Sequence, residues 1–492
     1  MKGFRLFSLV LVLLPFANVW CDSVDSLRQD LDRIFSKEGF EQSIWGVHVE
    51  SVSRNEVVYA QNNRTLLTPA SNQKLLVAAA ILDALGPDFQ FQTELLAGGP
   101  IENGVLRGPL IVRGGGDPSI GGRFHGGDRL SIFKQWSRAL KEKGIRQIDG
   151  DIIGDDNLFD DIPYGKGWQW DDLPYWFAAA ISALSFNDNC LDLIIRPGKS
   201  VNTPAVCITA PPTDYIEIIN QTQTVSQRPK QRDEMKEMLY RRCNDGRTVI
   251  VEGPVLLNQE RFQDYVTVPN PTLFTVTVLT DVLRKEGIDV TGTPVDMDDL
   301  EKPIPAETLK SLFVHNSPPL SDLLTVLLQR SQNLYAEMFL KYLGRKKIGE
   351  GSTEAGARAV GAYLKRLGIP EKEYDIADGS GLSREDLVTP SALCALLKGI
   401  AQGKNAEVFR NCLPVAGESG TLRGRMGDGP TAGRVWAKTG KINGVRALSG
   451  YIESREKEFF VFSFIVNNSQ TAGRSPANLQ DEACKRIAAF SR

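Results

Sequence analysis

The run from Leu75 to Leu85 constrains the fold more than any other stretch, because every residue in it except Asp83 is apolar. A helix that is apolar on all sides must be buried on most of them, so the rest of the chain has to wrap around it. Thr68 is suited to cap this helix, Pro69 to occupy its first position and Gly86 to stop it. Ser71 and Lys74 are the polar exceptions in its first turns. At i and i+3 they share one face, close enough for an amine to touch a hydroxyl. A desolvated lysine gives up its proton more readily, and a neutral amine activates a serine for attack. The positive end of the helix dipole favours the negative charge that develops there. Ser-x-x-Lys is a common pattern on its own, and Ser454 to Lys457 repeats it in a predicted hairpin turn.

The remaining candidates for a catalytic base are few. The chain holds only three histidines, His48 in an alternating strand pattern, His125 in a Gly-rich loop and His315 before Pro318-Pro319. Each reads as structural or exposed, so a Ser-His-Asp enzyme or a histidine-rich metal site is poorly supported, which leaves lysine as the available base. Met1 to Cys21 reads as a secretory signal, with Lys2 and Arg5 ahead of a short apolar run, Leu6 to Ala17. That run is short for a membrane span, no later stretch is long enough, and the mature protein is expected to be exported and soluble. Six of the seven cysteines survive cleavage; their spacings define no zinc ligand set, and their pairing stays open. No metal or cofactor is expected. A net charge of −3 gives no reason to expect nucleic acid as a partner.

At 492 residues the chain is too long for one ordinary domain. Two strands, residues 43–51 and 56–60, precede the Ser71 helix. From about residue 89 short strands and turns take over. They include Gly114-Gly115-Gly116-Asp117-Pro118, read as a turn because no Gly-Lys-Ser/Thr follows. An aromatic cluster is expected from Trp168, Trp170, Trp176 and Phe177, and a polar surface excursion from Asn220 to Arg242. Helices return after about Pro305. Three antiparallel strands, residues 433–438, 445–453 and 458–467, and a closing helix end the chain. The reading is a signal at 1–21, an α/β unit formed by 22–90 with 306–492, and a β-rich insertion at 91–305, divided into two subdomains.

Two further motifs carry chemistry. Lys438-Thr439-Gly440 occurs once, at the end of a predicted strand, where a cation and a hydroxyl suit a carboxylate and Gly440 allows substrate to approach closely. Ser331-Gln332-Asn333 precedes a helix; other Ser-x-Asn triplets exist, but only this one opens a helix within the outer unit. The ordered set Ser71-x-x-Lys74, Ser331-x-Asn333, Lys438-Thr439-Gly440 resembles the serine penicillin-recognising enzymes. The long gap after the first motif resembles the class C low-molecular-mass penicillin-binding proteins, the D-alanyl-D-alanine carboxypeptidases/endopeptidases. Asp378 to Arg384, Gly167-Trp168 to Phe177, and Ser185-Phe186-Asn187-Asp188-Asn189 also match that family.

The resemblance implies a β-lactamase/transpeptidase-like α/β (α+β) fold, an antiparallel sheet flanked by helices, with inserted β-rich domains. It implies Ser71 as nucleophile, Lys74 as acylation base, Ser331 as proton relay to the leaving amine and Asn333 as a hold on Lys74 and the substrate amide. Lys438 and Thr439 would bind the terminal carboxylate, and the N–H groups of Ser71 and Lys441 would form the oxyanion hole. Asp172, Phe177 and Arg384 match positions that recognise a diaminopimelate side chain, and Asn443 stands where the family usually has Gln. No counterpart is evident for the glutamate with which class A β-lactamases deacylate, so prolonged acylation by penicillin is expected. The implied partners are peptidoglycan stem peptides, with β-lactam antibiotics as inhibitors, and a homodimer is left open. The implied location is the periplasm or another extracytoplasmic space. A non-catalytic scaffold, or a β-lactamase or esterase on the same site, are the competing readings.

Overall fold

The computed structural model describes residues 22–227, 238–302, 304–470 and 475–492. The expected signal at 1–21 lies outside the described residues, as does the middle of the expected polar excursion. No helix among the described residues is long and apolar enough to cross a membrane.

Six helices pack on the two faces of the outer sheet or beside it: α1 (Val24–Phe35), α2 (Lys74–Leu85), α3 (Leu320–Gln329), α4 (Asn333–Lys347), α5 (Pro390–Ala401) and α6 (Pro476–Ala488). The two outer parts of the chain build one antiparallel sheet. Its strands are β1 (Ile44–Ser51), β2 (Glu56–Gln61), β3 (Val435–Ile442), β4 (Val445–Glu453) and β5 (Phe459–Asn467), in the order β2-β1-β5-β4-β3. Side chains alternate between its faces. Phe460, Phe462 and Phe464 pack with α1 and α6, while Val461 and Ile465 join the core around α2. That core also takes in α3, α4 and α5.

Every residue from Lys74 to Leu82 is buried, as the all-round apolar pattern requires. Each buried leucine or isoleucine contributes about 1.5–3 kcal/mol, against about 1 kcal/mol for a typical hydrogen bond. Packing, not capping, therefore fixes where the first turn of α2 sits. The entry differs from the expected Thr68 cap. Thr68 is tied to β5 instead: its N–H donates to Asn467 Oδ1 at 2.9 Å, and Asn467 Nδ2 donates back to Thr68 O at 3.0 Å. Ala70 then takes a left-handed φ of +47°, and Ala70–Gln73 form a 3-10 turn that runs into α2. Ser71 lies on that turn, ahead of the α-helix.

The strands Gln92–Ala97 and Lys310–Asn316 pair with each other, so the intervening chain leaves and returns side by side. Between them lies a second core, built around Trp136, Phe186 and Phe274. Part of the expected polar excursion is in fact a strand, Glu217–Val225, paired in parallel with Thr248–Leu256. It reads as polar because its inward residues are Thr222 and Thr224, both buried. The aromatic cluster is also smaller than expected. Tyr175 stacks on Phe177 with ring centres 5.6 Å apart and Trp176 meets Phe177 edge-on, but Trp170 is 80% exposed and stands apart.

Candidate active site

Three distant segments meet at the open edge of the sheet, where β3 is the outermost strand. Lys438-Thr439-Gly440 lies within β3, not at its end. The space at Gly440 is taken by the turn that carries Ser71: a Cβ there would come 2.7 Å from Pro69 O. From the other side, Gly381, at φ +79°, approaches so closely that a Cβ would fall 1.8 Å from Ala70 O. The serine turn is thus gripped between two positions that tolerate no side chain.

Lys74 Nζ lies 3.0 Å from Ser71 Oγ and donates to Asn333 Oδ1 and to Ser380 O, each at 2.6 Å. The lysine is fully buried. Burial pushes its pKa down to about 8, while the carboxyls of Asp378, Glu337 and Asp386 pull the other way. Asn333 Nδ2 donates to Phe177 O at 2.6 Å, which joins the insertion to the floor of the site. Ser331 has a left-handed φ of +59°, and its Oγ receives a hydrogen bond from Lys438 Nζ at 2.7 Å. Lys438 is also fully buried, and burial, followed by the charge on Lys74, holds its pKa well below the ordinary lysine value.

On the free side of β3, Ala437 N–H donates outward to Pro414 O at 3.0 Å. The two-residue alternation of an antiparallel strand points the N–H of Thr439 and Lys441 the same way. The cleft itself is about 350 Å³, and Ser71, Ser331, Asn333, Phe177, Arg384 and Lys441 are among its lining residues. Asp172 and Asn443 also line it, whereas Lys438 sits behind Ser331 and Thr439 bonds to Thr421 Oγ1 at 2.8 Å.

The model of the D-Ala-D-Ala carboxypeptidase 3 (S13) family matches residues 27–488. The chain belongs to that family. It is 31% identical to the D-alanyl-D-alanine carboxypeptidase of Actinomadura sp. (strain R39), over 94% of this chain and 85% of that protein. The crystal structure of penicillin binding protein 4 (dacB) from Haemophilus influenzae superposes with a TM-score of 0.78 at 27% identity, covering 95% of this chain and 98% of that one. The same protein complexed with a β-lactam superposes at 0.73 and 25% identity, covering 94% and 98%. The expected fold, β-lactamase/transpeptidase-like with β-rich additions, is the fold this S13 chain has.

The rim of this S13 cleft is built more loosely than its floor. Arg384 is exposed and donates to the backbone carbonyl of Asn443 at 2.9 Å, so the main chain of Asn443, not its amide, meets the guanidinium. Partial burial, then Asp171, raises the pKa of Asp172, and Arg384 pulls it back.

Around the Asp378 to Arg384 stretch the floor contains two carboxyls that the motifs did not single out, those of Glu337 and Asp386. Glu337 accepts the N–H groups of Gly379 and Ser380, both at 2.8 Å. Asp378 accepts those of Ser380, Gly381 and Ser383, and Trp168 Nε1 donates to it at 2.9 Å. Asp386 Oδ1 accepts those of Ala377 and Asp378. With its N–H groups turned toward these carboxyls, the 378–383 loop presents Ser380 O to Lys74. Burial and the neighbouring Asp378 raise the pKa values of Glu337 and Asp386. A signal for Glu337 was present: it stands four residues after Asn333, a polar side chain on the same face of a largely apolar helix.

Proposed function

We propose that this chain is a serine-type D-Ala-D-Ala carboxypeptidase/endopeptidase that cleaves peptidoglycan peptides through an acyl-enzyme and is acylated by penicillin. The observation that carries the reading is the fully buried Lys74 amine 3.0 Å from Ser71 Oγ. Ser71 Oγ attacks the carbonyl carbon of the penultimate D-Ala, and its proton passes to neutral Lys74. The oxyanion is held by N–H groups, with Lys441 N–H, on the free side of β3, as one donor. The C–N bond then breaks, and Ser331 passes a proton to the departing amine. Water hydrolyses the resulting ester and restores the serine hydroxyl.

Lys438 and Thr439 receive the carboxylate of the substrate. No carboxylate touches Lys438 among the described residues, and burial disfavours its charged form while no countercharge is near. An incoming carboxylate supplies the missing countercharge. Asp172, Phe177, Arg384 and Asn443 select the side chain of the preceding residue. The site works outside the cytoplasm, on the cell wall.

The test is Ser71→Ala, read by fluorescent-penicillin labelling and by mass analysis of digested muropeptides. Loss of both labelling and D-Ala release is expected, with the fold intact by circular dichroism. Retained labelling would refute the assignment. The muropeptide products also rank carboxypeptidase against endopeptidase action.

A further inference from the structure

A second cavity, of about 430 Å³, lies on the other side of the segment that carries Ser331. Ser331 and Asn333 line the cleft, whereas Arg330 and Gln332, their neighbours in sequence, line the second cavity. Trp176, 39% exposed, borders both. Two segments that the cleft does not use also reach this cavity. Pro118 and Ser119 follow the glycine triplet, and Asn187 and Asp188 come from the 185–189 stretch. Asn187, Asp188 and Asn189 are three successive left-handed residues, at φ +53°, +55° and +54°. Each such residue costs on the order of 1–3 kcal/mol and persists only where its surroundings hold it.

The walls carry three guanidinium groups against two carboxylates. Arg123 pairs with Asp188 and Arg129 with Asp192. Arg330 is exposed and has no ion pair among the described residues. The hydroxyl of Tyr335, a fully buried lining residue, and the Gln332 amide oxygen have no hydrogen-bond partner among the described residues. A free guanidinium fork fits a carboxylate, and the aromatic faces of Trp176 and Tyr265 fit the apolar part of the chain that bears it.

We infer that this cavity is a subsite for the second strand of a cross-linked peptide, reached from the cleft over Trp176, with Arg330 holding that strand's free carboxylate. The inference rests on the proposed peptidase reading and deepens it. A strand whose side-chain amine is acylated still ends in its own carboxylate, whereas an uncross-linked peptide has no second strand to bind. Arg330 thereby favours endopeptidase over carboxypeptidase turnover.

The experiment compares wild type, Arg330→Glu and Arg330→Lys on a cross-linked muropeptide dimer and on an uncross-linked pentapeptide. Arg330→Glu should raise KM for the dimer about tenfold, a difference of ~1.4 kcal/mol, and change the pentapeptide by less than about twofold. Arg330→Lys should keep most of the dimer preference. Equal changes on both substrates would overturn the subsite. Binding decides it independently of turnover: calorimetry of the dimer on Ser71→Ala and on Ser71→Ala/Arg330→Glu should differ about tenfold. Equal affinities would overturn the subsite and leave the peptidase reading untouched. Failure of the wild type to cleave either substrate would count against that reading alone.

Discussion

The floor and the rim of the cleft are built on different terms. Beneath Ser71 the polar groups are buried and multiply bonded: Lys74 has three partners, Asp378 accepts three backbone N–H groups and an indole N–H, and Glu337 accepts two. At the rim, Arg384 is exposed and its contact with Asn443 is a single backbone hydrogen bond. Buried polar networks are costly to disturb, because each group that loses a partner has no water to replace it. Exposed pairs contribute little to stability. On the proposed reading, reaction chemistry rests on the part of the molecule that resists change, and side-chain selectivity on the part that can change without unfolding it.

Four variants and one pH profile press on that contrast. Lys74→Ala should lower the penicillin acylation rate by about 10²–10⁴-fold, the usual range for a general base. In the wild type that rate should climb with pH and reach half its plateau near pH 8, because only the unprotonated amine can take the serine proton. A rate indifferent to pH across that region would remove Lys74 from the role. Lys438→Ala comes next. It should cost substrates with a terminal carboxylate about tenfold more in kcat/KM than neutral esters, and equal losses would contradict its assignment.

Glu337→Ala probes the floor without touching the hydroxyl. It strips the acceptor from two buried N–H groups, so unfolding in urea should show a loss of roughly 2–4 kcal/mol. Arg384→Ala sets the lower bound. Its stability should stay within about 0.5 kcal/mol of wild type, while KM for peptides with a charged side chain rises several-fold. A stability loss at Arg384 as large as that at Glu337 would erase the distinction between floor and rim.

The legible parts of the molecule were those in which local pattern and tertiary role coincide. The unbroken apolar run announced a buried α2, and the alternation of the last three strands announced β3 to β5, because burial itself imposes those periods. Ser71, Lys74, Ser331, Asn333 and Lys438 could be found from order and spacing, and they lie together in the structure. The entry to α2 was misread because Thr68 answers to Asn467, some four hundred residues away, and not to its own helix. Gly440 was read as room for a ligand, but its missing Cβ is filled by the turn next to it. Asp378 lay in a stretch that matched the family, whereas Glu337 and Asp386 acquire their meaning only from the loop folded over them.

The grip on the serine turn has a consequence for the chain before it has finished folding. The contacts that shape this turn come from Gly381, Gly440 and Asn467, all of which are synthesised long after it. A polypeptide cut short before β3 carries the hydroxyl, the amine and the Gly381 side of the grip, but lacks Gly440 and Asn467 on the other side. On the proposed reading, the nucleophile is fully seated only once the closing strands have been made, so catalytic competence arrives with the last part of the chain.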